Sequence, residues 1–167
     1  GLSGDREIPG DFDADGRAYL DVYNNVPLVG HSHARVVAAA QRQLALLNTN
    51  TRYLHEHVVE LAERLVATMP DGLDTVLFVN SGSEATMDAI RIARAATGRD
   101  TIMKMLGSYH GHHDGVMVAV GPGIGVEKID PDDIPSVPYG EGLPQAVADL
   151  TVAVPYNDAD ALSRRLD

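Results

Sequence analysis

Apolar residues recur at helical spacing twice in the first seventy positions. Val36, Ala40, Leu44 and Leu47 share one face, which predicts a helix over 35–47. A second helix is predicted over 56–69, with Val58, Leu61, Ala62, Leu65 and Val66 inward and Pro70-Asp71-Gly72 ending it. Upstream, DFDADGRAYLD (11–21) places Asp15-Gly16 between two short segments and predicts a small hairpin. NNVPLVGHSH (24–33) and NTNTRY (48–53) read as loop and turn.

The pattern then changes. TVLFV (75–79) is a short β-branched apolar run, the signature of a buried strand. NSGSE follows, then a helix over 84–96 that stops at Gly98, then TIMKM (101–105) as the next strand. Strand, helix and strand in that order predict a parallel pair joined by a right-handed crossover. GVMVAV (115–120) fits strand or helix equally, the Gly- and Pro-rich stretch 121–144 reads as a long loop, and TVAV (151–154) reads as a further strand. A helix begins near the end of the chain. The expected organisation is a hairpin and helices over 1–70, then an α/β portion with a mostly parallel sheet over 71–167.

Composition narrows the classes. The chain has 167 residues, 44% hydrophobic and 22% charged, as in an ordinary globular protein. A formal net charge of -11 disfavours nucleic acid and anionic membrane as partners. A small anion can still be held locally by backbone N–H groups. There is no cysteine, so disulfides, thiolate metal sites and cysteine nucleophiles are excluded. No run approaches the length of a membrane-spanning helix, and GLSGDREIPG lacks the basic and apolar regions of a signal peptide. The expectation is a cytoplasmic chain.

Two motifs carry candidate chemistry. In FVNSGSEA (78–85) a strand runs through a Gly-containing turn into a helix start. Free N–H groups there, with the hydroxyls of Ser81 and Ser83, suit an anion, and Gly82 admits close approach. A plain N-cap, with Ser81 or Ser83 capping and Glu84 in the first turn, explains the same residues. The turn is neither a Walker loop nor a dinucleotide fingerprint. The second motif is SYHGHHD (108–114), after the strand at 101–105. Both turns follow strands, so both are expected at one sheet edge. There Tyr109 can stack on a flat heteroaromatic ligand whose phosphate sits at 81–83. A solvated polar loop is the plainer reading. A metal site from His110, His112, His113 and Asp114 is the third, and no metal is assigned because the spacing has no special geometry. His31 and His33 are read as capping or exposed residues, His55 and His57 as surface residues, and Asn24 and Asn25 as turn residues or substrate contacts, turn first. The two lysines, Lys104 in a strand and Lys128 in the loop, are not placed like a Schiff-base lysine.

Taken together, DADGRAYLDVYNN (13–25), GHSHARVVAAAQRQL (30–44), FVNSGSEATMDAIRIARAATGRD (78–100) and SYHGHHD (108–114) resemble class III aminotransferases. VPYNDADAL (154–162) is similar to glutamate-1-semialdehyde aminomutases, and LLNTNTRYLHE (46–56) to the ethanolamine-phosphate lyase and alanine–glyoxylate branch. The resemblance implies part of the large domain of a fold type I pyridoxal 5'-phosphate (PLP) transferase, with a helical N-terminal segment. It implies that Ser81, Gly82 and Ser83 bind the PLP phosphate, that Tyr109 stacks on the pyridine ring, and that His110 and Gly111 complete that motif. Glu84 matches a family glutamate with a structural role. The family forms homodimers with sites at the interface, which implies Asn25, Asn50, Thr51 and Arg52 near substrate or partner chain.

The family's pyridinium-binding aspartate and Schiff-base lysine lie further along than residue 167. No catalytic residue is therefore assigned, and the chain is expected to be an N-terminal fragment, inactive alone. The expected whole activity is amino-group transfer from an amino donor to a carbonyl acceptor. An aminomutase of the glutamate-1-semialdehyde type, a non-catalytic phosphate-ligand-binding module and a degenerate fragment are the alternatives.

Overall fold

The computed structural model describes residues 11–20, 28–30, 32–49, 52–120 and 130–166. The chain divides into two compact units, Gly1–Asp74 and Thr75–Asp167.

In the first unit, β1 (Asp11–Phe12) pairs antiparallel with β2 (Ala18–Tyr19), with Asp11 opposite Tyr19. The turn is built by Asp13. Its carboxylate accepts from the N–H groups of Arg17 at 2.9 Å and Asp15 at 3.0 Å, and from the Tyr19 hydroxyl at 3.1 Å. These donors, the Arg17 amide foremost, hold the Asp13 carboxyl below the ordinary carboxylate range. Gly16 takes the positive φ that such a turn demands. The predicted helices form as α1 (Ala34–Leu44) and α2 (Glu56–Val66), each ending earlier than the pattern suggested. His55 is more than a surface residue: it stands at the N-cap of α2, and its Nδ1 accepts from His57 N–H. Neither helix fully buries a residue: of the positions expected inward, Ala62 and Val66 are half-buried while Val58, Leu61 and Leu65 are exposed, as is Leu44 of α1 at 63%. Amphipathic spacing created the face, and the described residues cover only part of it.

The second unit holds the core. Helix α3 (Gly82–Thr97) starts where the small turn predicted it and stops at Gly98, which adopts the left-handed conformation. Strand β3 (Ile102–Met105) and strand β4 (Thr151–Val154) pair in parallel, with Ile102 opposite Thr151 and Lys104 opposite Ala153. A short helix, α4 (Gln145–Ala148), leads into β4, and α5 (Ala159–Leu166) follows it. Val118, Ala119, Ile134, Ala148 and Ala153 form the buried cluster, with Leu106 against it.

Two expectations are corrected. The run 75–79 forms no strand, and Leu77 is 64% exposed. A strand exists through its ladder, and apolar β-branched composition without a neighbour does not make one. The parallel partner of β3 is therefore β4, not 75–79. The segment 115–119, left open between strand and helix, is neither. It is a buried irregular stretch with one antiparallel bridge, Val118 to Pro138.

Candidate functional site

The start of α3 is a reciprocal cap. Ser81 stands at the N-cap with extended backbone, and its Oγ accepts from Glu84 N–H at 3.2 Å. Glu84 Oε2 reaches back to accept from Asn80 N–H at 2.6 Å. The plain-cap reading is thus correct for Ser81 and Glu84. It does not use the whole turn. The N–H groups of Gly82 and Ser83 have no acceptor among the described residues, and the space where a Gly82 Cβ would stand is open. Exposed N–H groups at the positive end of a sixteen-residue helix are a place for an anion.

Ser83 joins this turn to the second motif. Its Oγ accepts from the backbone N–H of His112 at 2.9 Å, across 29 positions of sequence. Gly111 makes that approach possible. It is buried, has a φ of +93°, and a Cβ there would lie 2.5 Å from Ser83 Oγ and 2.7 Å from Ser83 Cα. No side chain fits. The two turns expected at one edge are therefore in contact, through the Ser83 hydroxyl and Gly111.

Tyr109 rides on the loop so fixed. Its ring is 59% exposed and meets the His112 ring edge to face at 5.7 Å. His110 is exposed. His113 is half-buried, and its Nδ1 accepts from Gly115 N–H at 3.1 Å. Among the described residues no three His, Asp or Glu converge on a metal-sized space. Arg52 is exposed in a bend of the first unit, while Asn24, Asn25, His31, Asn50, Thr51 and Lys128 lie outside the described residues.

Lys104 was read as an ordinary strand residue. It is 5% exposed, and Nζ donates to the carbonyls of Val116 at 3.0 Å and Val118 at 2.8 Å. Burial pushes its ammonium down to about 8. The sequence signal was a lysine between two methionines in an apolar run. A separate open groove of 470 Å³ is lined by 133–138 with Gln145, Asp149, Val152 and Arg165, and includes none of the motif residues. The anion site at the helix terminus is by contrast shallow and open.

The second unit is thus an α/β body in which a helix N-terminus open to an anion is bonded to a loop carrying an exposed aromatic ring. The family model for aminotransferase class III matches residues 11–161, and the chain belongs to that family, whose members depend on PLP. A glutamate-1-semialdehyde 2,1-aminomutase from Aquifex aeolicus (strain VF5) is 40% identical over 153 residues, covering 90% of this chain and 34% of the relative. An omega-transaminase crystal structure from Sphaerobacter thermophilus superposes with a TM-score of 0.74 at 38% identity, covering 92% of this chain and 34% of the other. A transaminase with PLP bound gives 0.74 at 31% identity, covering 96% and 36%. The fold is accordingly part of the fold type I large domain. The chain spans about a third of the length of the curated relatives it matches.

Proposed function

We propose that this chain is the N-terminal part of a PLP-dependent class III aminotransferase, and that 71–167 contributes the phosphate and ring contacts of the cofactor site. The observation that carries the reading is the bond between Ser83 Oγ and His112 N–H, which ties the anion-binding turn to the aromatic loop. When bound, PLP supplies an electron sink for bond cleavage at the substrate α-carbon.

The chain's own residues bind and orient. The N–H groups of Gly82 and Ser83 would hold the phosphate. Ser81 and Ser83 each accept one backbone bond through Oγ and keep a hydroxyl proton to donate. Tyr109 would stack on the pyridine ring, with His110 and Gly111 completing the motif. Gly111 keeps the loop against Ser83. Lys104 is engaged with two carbonyls, so it is not proposed as the covalent anchor. The isolated chain would then hold PLP without a covalent bond and transfer no amino group. In the whole enzyme an amino donor and a carbonyl acceptor are the partners. A cytoplasmic homodimer is proposed, with Asn25, Asn50, Thr51 and Arg52 near substrate or partner. A net charge of -11 supports neither nucleic acid nor membrane as a partner. No helix among the described residues is long and apolar enough to cross a membrane. An aminomutase is the second reading, favoured by a relative of that name at 40% identity.

The test is a PLP titration of the 167-residue chain, followed by cofactor absorbance and by borohydride treatment. Expected is saturable binding with no cofactor retained after reduction and denaturation. Ser83→Ala should weaken it about ten- to a hundredfold, the range for losing hydrogen bonds to a charged group. Gly111→Ala should also weaken it, because the loop must leave Ser83. Absence of saturable binding would sink the reading, and cofactor fixed at Lys104 would sink its non-covalent part.

A further inference from the structure

Two polar side chains are buried among the described residues, Lys104 and Thr151, at 5% and 0% exposure. Burying an ammonium or a hydroxyl is unfavourable unless its donors find acceptors. Both find them in one place. Lys104 Nζ donates to the carbonyls of Val116 and Val118, and Thr151 Oγ1 donates to the carbonyl of Gly115 at 2.6 Å. The two residues lie on the same face of the parallel pair. Thr151 is opposite Ile102, Lys104 is opposite Ala153, and side chains two apart on a strand share a face.

The segment they grip is the exit of the Tyr109 loop. It has no strand ladder of its own beyond the bridge at Val118. Further bonds close the loop on itself: Gly107 N–H donates to Ala119 O at 2.9 Å, and Val116 and Met117 N–H both donate to His113 O. A loop whose entry is β3 and whose exit is bonded to side chains of β3 and β4 is held to the sheet by those side chains, while Ala119 N–H to Val137 O and Tyr139 N–H to Met117 O tie the same exit to 137–139.

We propose that Lys104 and Thr151 form a clamp from the sheet onto 115–118, and that both are positioning residues for the Tyr109 ring. The role at the ring rests on the proposed cofactor site; the clamp itself does not. Lys104→Met removes the donors and keeps the stem, Thr151→Val removes the hydroxyl at nearly constant shape, and Lys104→Arg restores donors. The first readout is amide hydrogen exchange in the chain without cofactor. In both clamp variants the amides of Gly107, Val116, Met117 and Ala119 should exchange about tenfold faster, while those of α3 keep their rates. Lys104→Arg should recover part of the protection. Uniform acceleration of all amides would mean a merely structural role and overturn the proposal, as would unchanged exchange. If Lys104→Met does not fold, Thr151→Val decides. The second readout is PLP affinity. Selective loosening with PLP bound as tightly as before would overturn the positioning role. Selective loosening in a chain that never binds PLP would leave the clamp standing and remove the cofactor reading instead.

Discussion

Lys104 carries a positive charge to a place that water barely reaches, and its acidity records the consequence. Its ammonium sits near 8 where 10.5 is ordinary, and desolvation is the cause. Below about pH 8 the group is charged in the folded and the unfolded chain, and the folded chain bears the full penalty of burying that charge. Between about 8 and 10.5 the unfolded chain still binds the proton while the folded chain has released it. Stability therefore rises with pH across that window. The urea midpoint of the native chain, taken relative to Lys104→Met, should climb from pH 8 toward pH 10. A difference that stays flat would show that Lys104 keeps its ordinary acidity and is not desolvated. At the same scale, Gly111 combines a positive φ with backbone contact on Ser83, so the site depends on the absence of a side chain as much as on any group present.

The elements divide by how much they bury. Every buried residue among those described lies in the second unit. Helices α1 and α2 have eleven residues each and bury none. Helices shorter than about 12–15 residues are marginal in water without packing. Their amides should therefore exchange at least ~100-fold faster than those bonded across the parallel pair, at Ile102 and Leu106. Equal protection would mean that a surface outside the described contacts covers them. The same contrast explains what could be read from sequence. Helices α1, α2, α3 and α5 and strands β3 and β4 followed from local periodicity and stop signals such as Gly98. The strand at 75–79 did not, because a ladder needs a partner that no local pattern reveals. The motifs at 81–83 and 108–114 were legible as turns and family signatures. The bond joining them was not, because Ser83 and His112 meet only through the chain's long-range path. Thr151 gave no signal at all, being the ordinary first residue of a β-branched run.

At the scale of the whole molecule two surface properties oppose each other. The chain carries a net charge of -11, which keeps copies apart. It also exposes Leu77 and Phe78 on a run that forms no strand, besides apolar positions of α1 and α2. An exposed apolar, β-branched run is a surface on which another chain can dock. Salt decides between the two. Charge repulsion is screened over about 10 Å at 0.1 M salt and about 3 Å at 1 M, while burial of apolar surface is not screened. The isolated chain should therefore associate reversibly, and more strongly as salt is raised. Sedimentation velocity at several protein concentrations checks this. Leu77→Gln leaves the net charge unchanged and makes the run less apolar, so it should shift the distribution toward monomer at every salt concentration. A chain that stays monomeric at high salt would show that the 75–79 run is covered within the molecule. Association that Leu77→Gln leaves untouched would move the contact to the faces of α1 and α2.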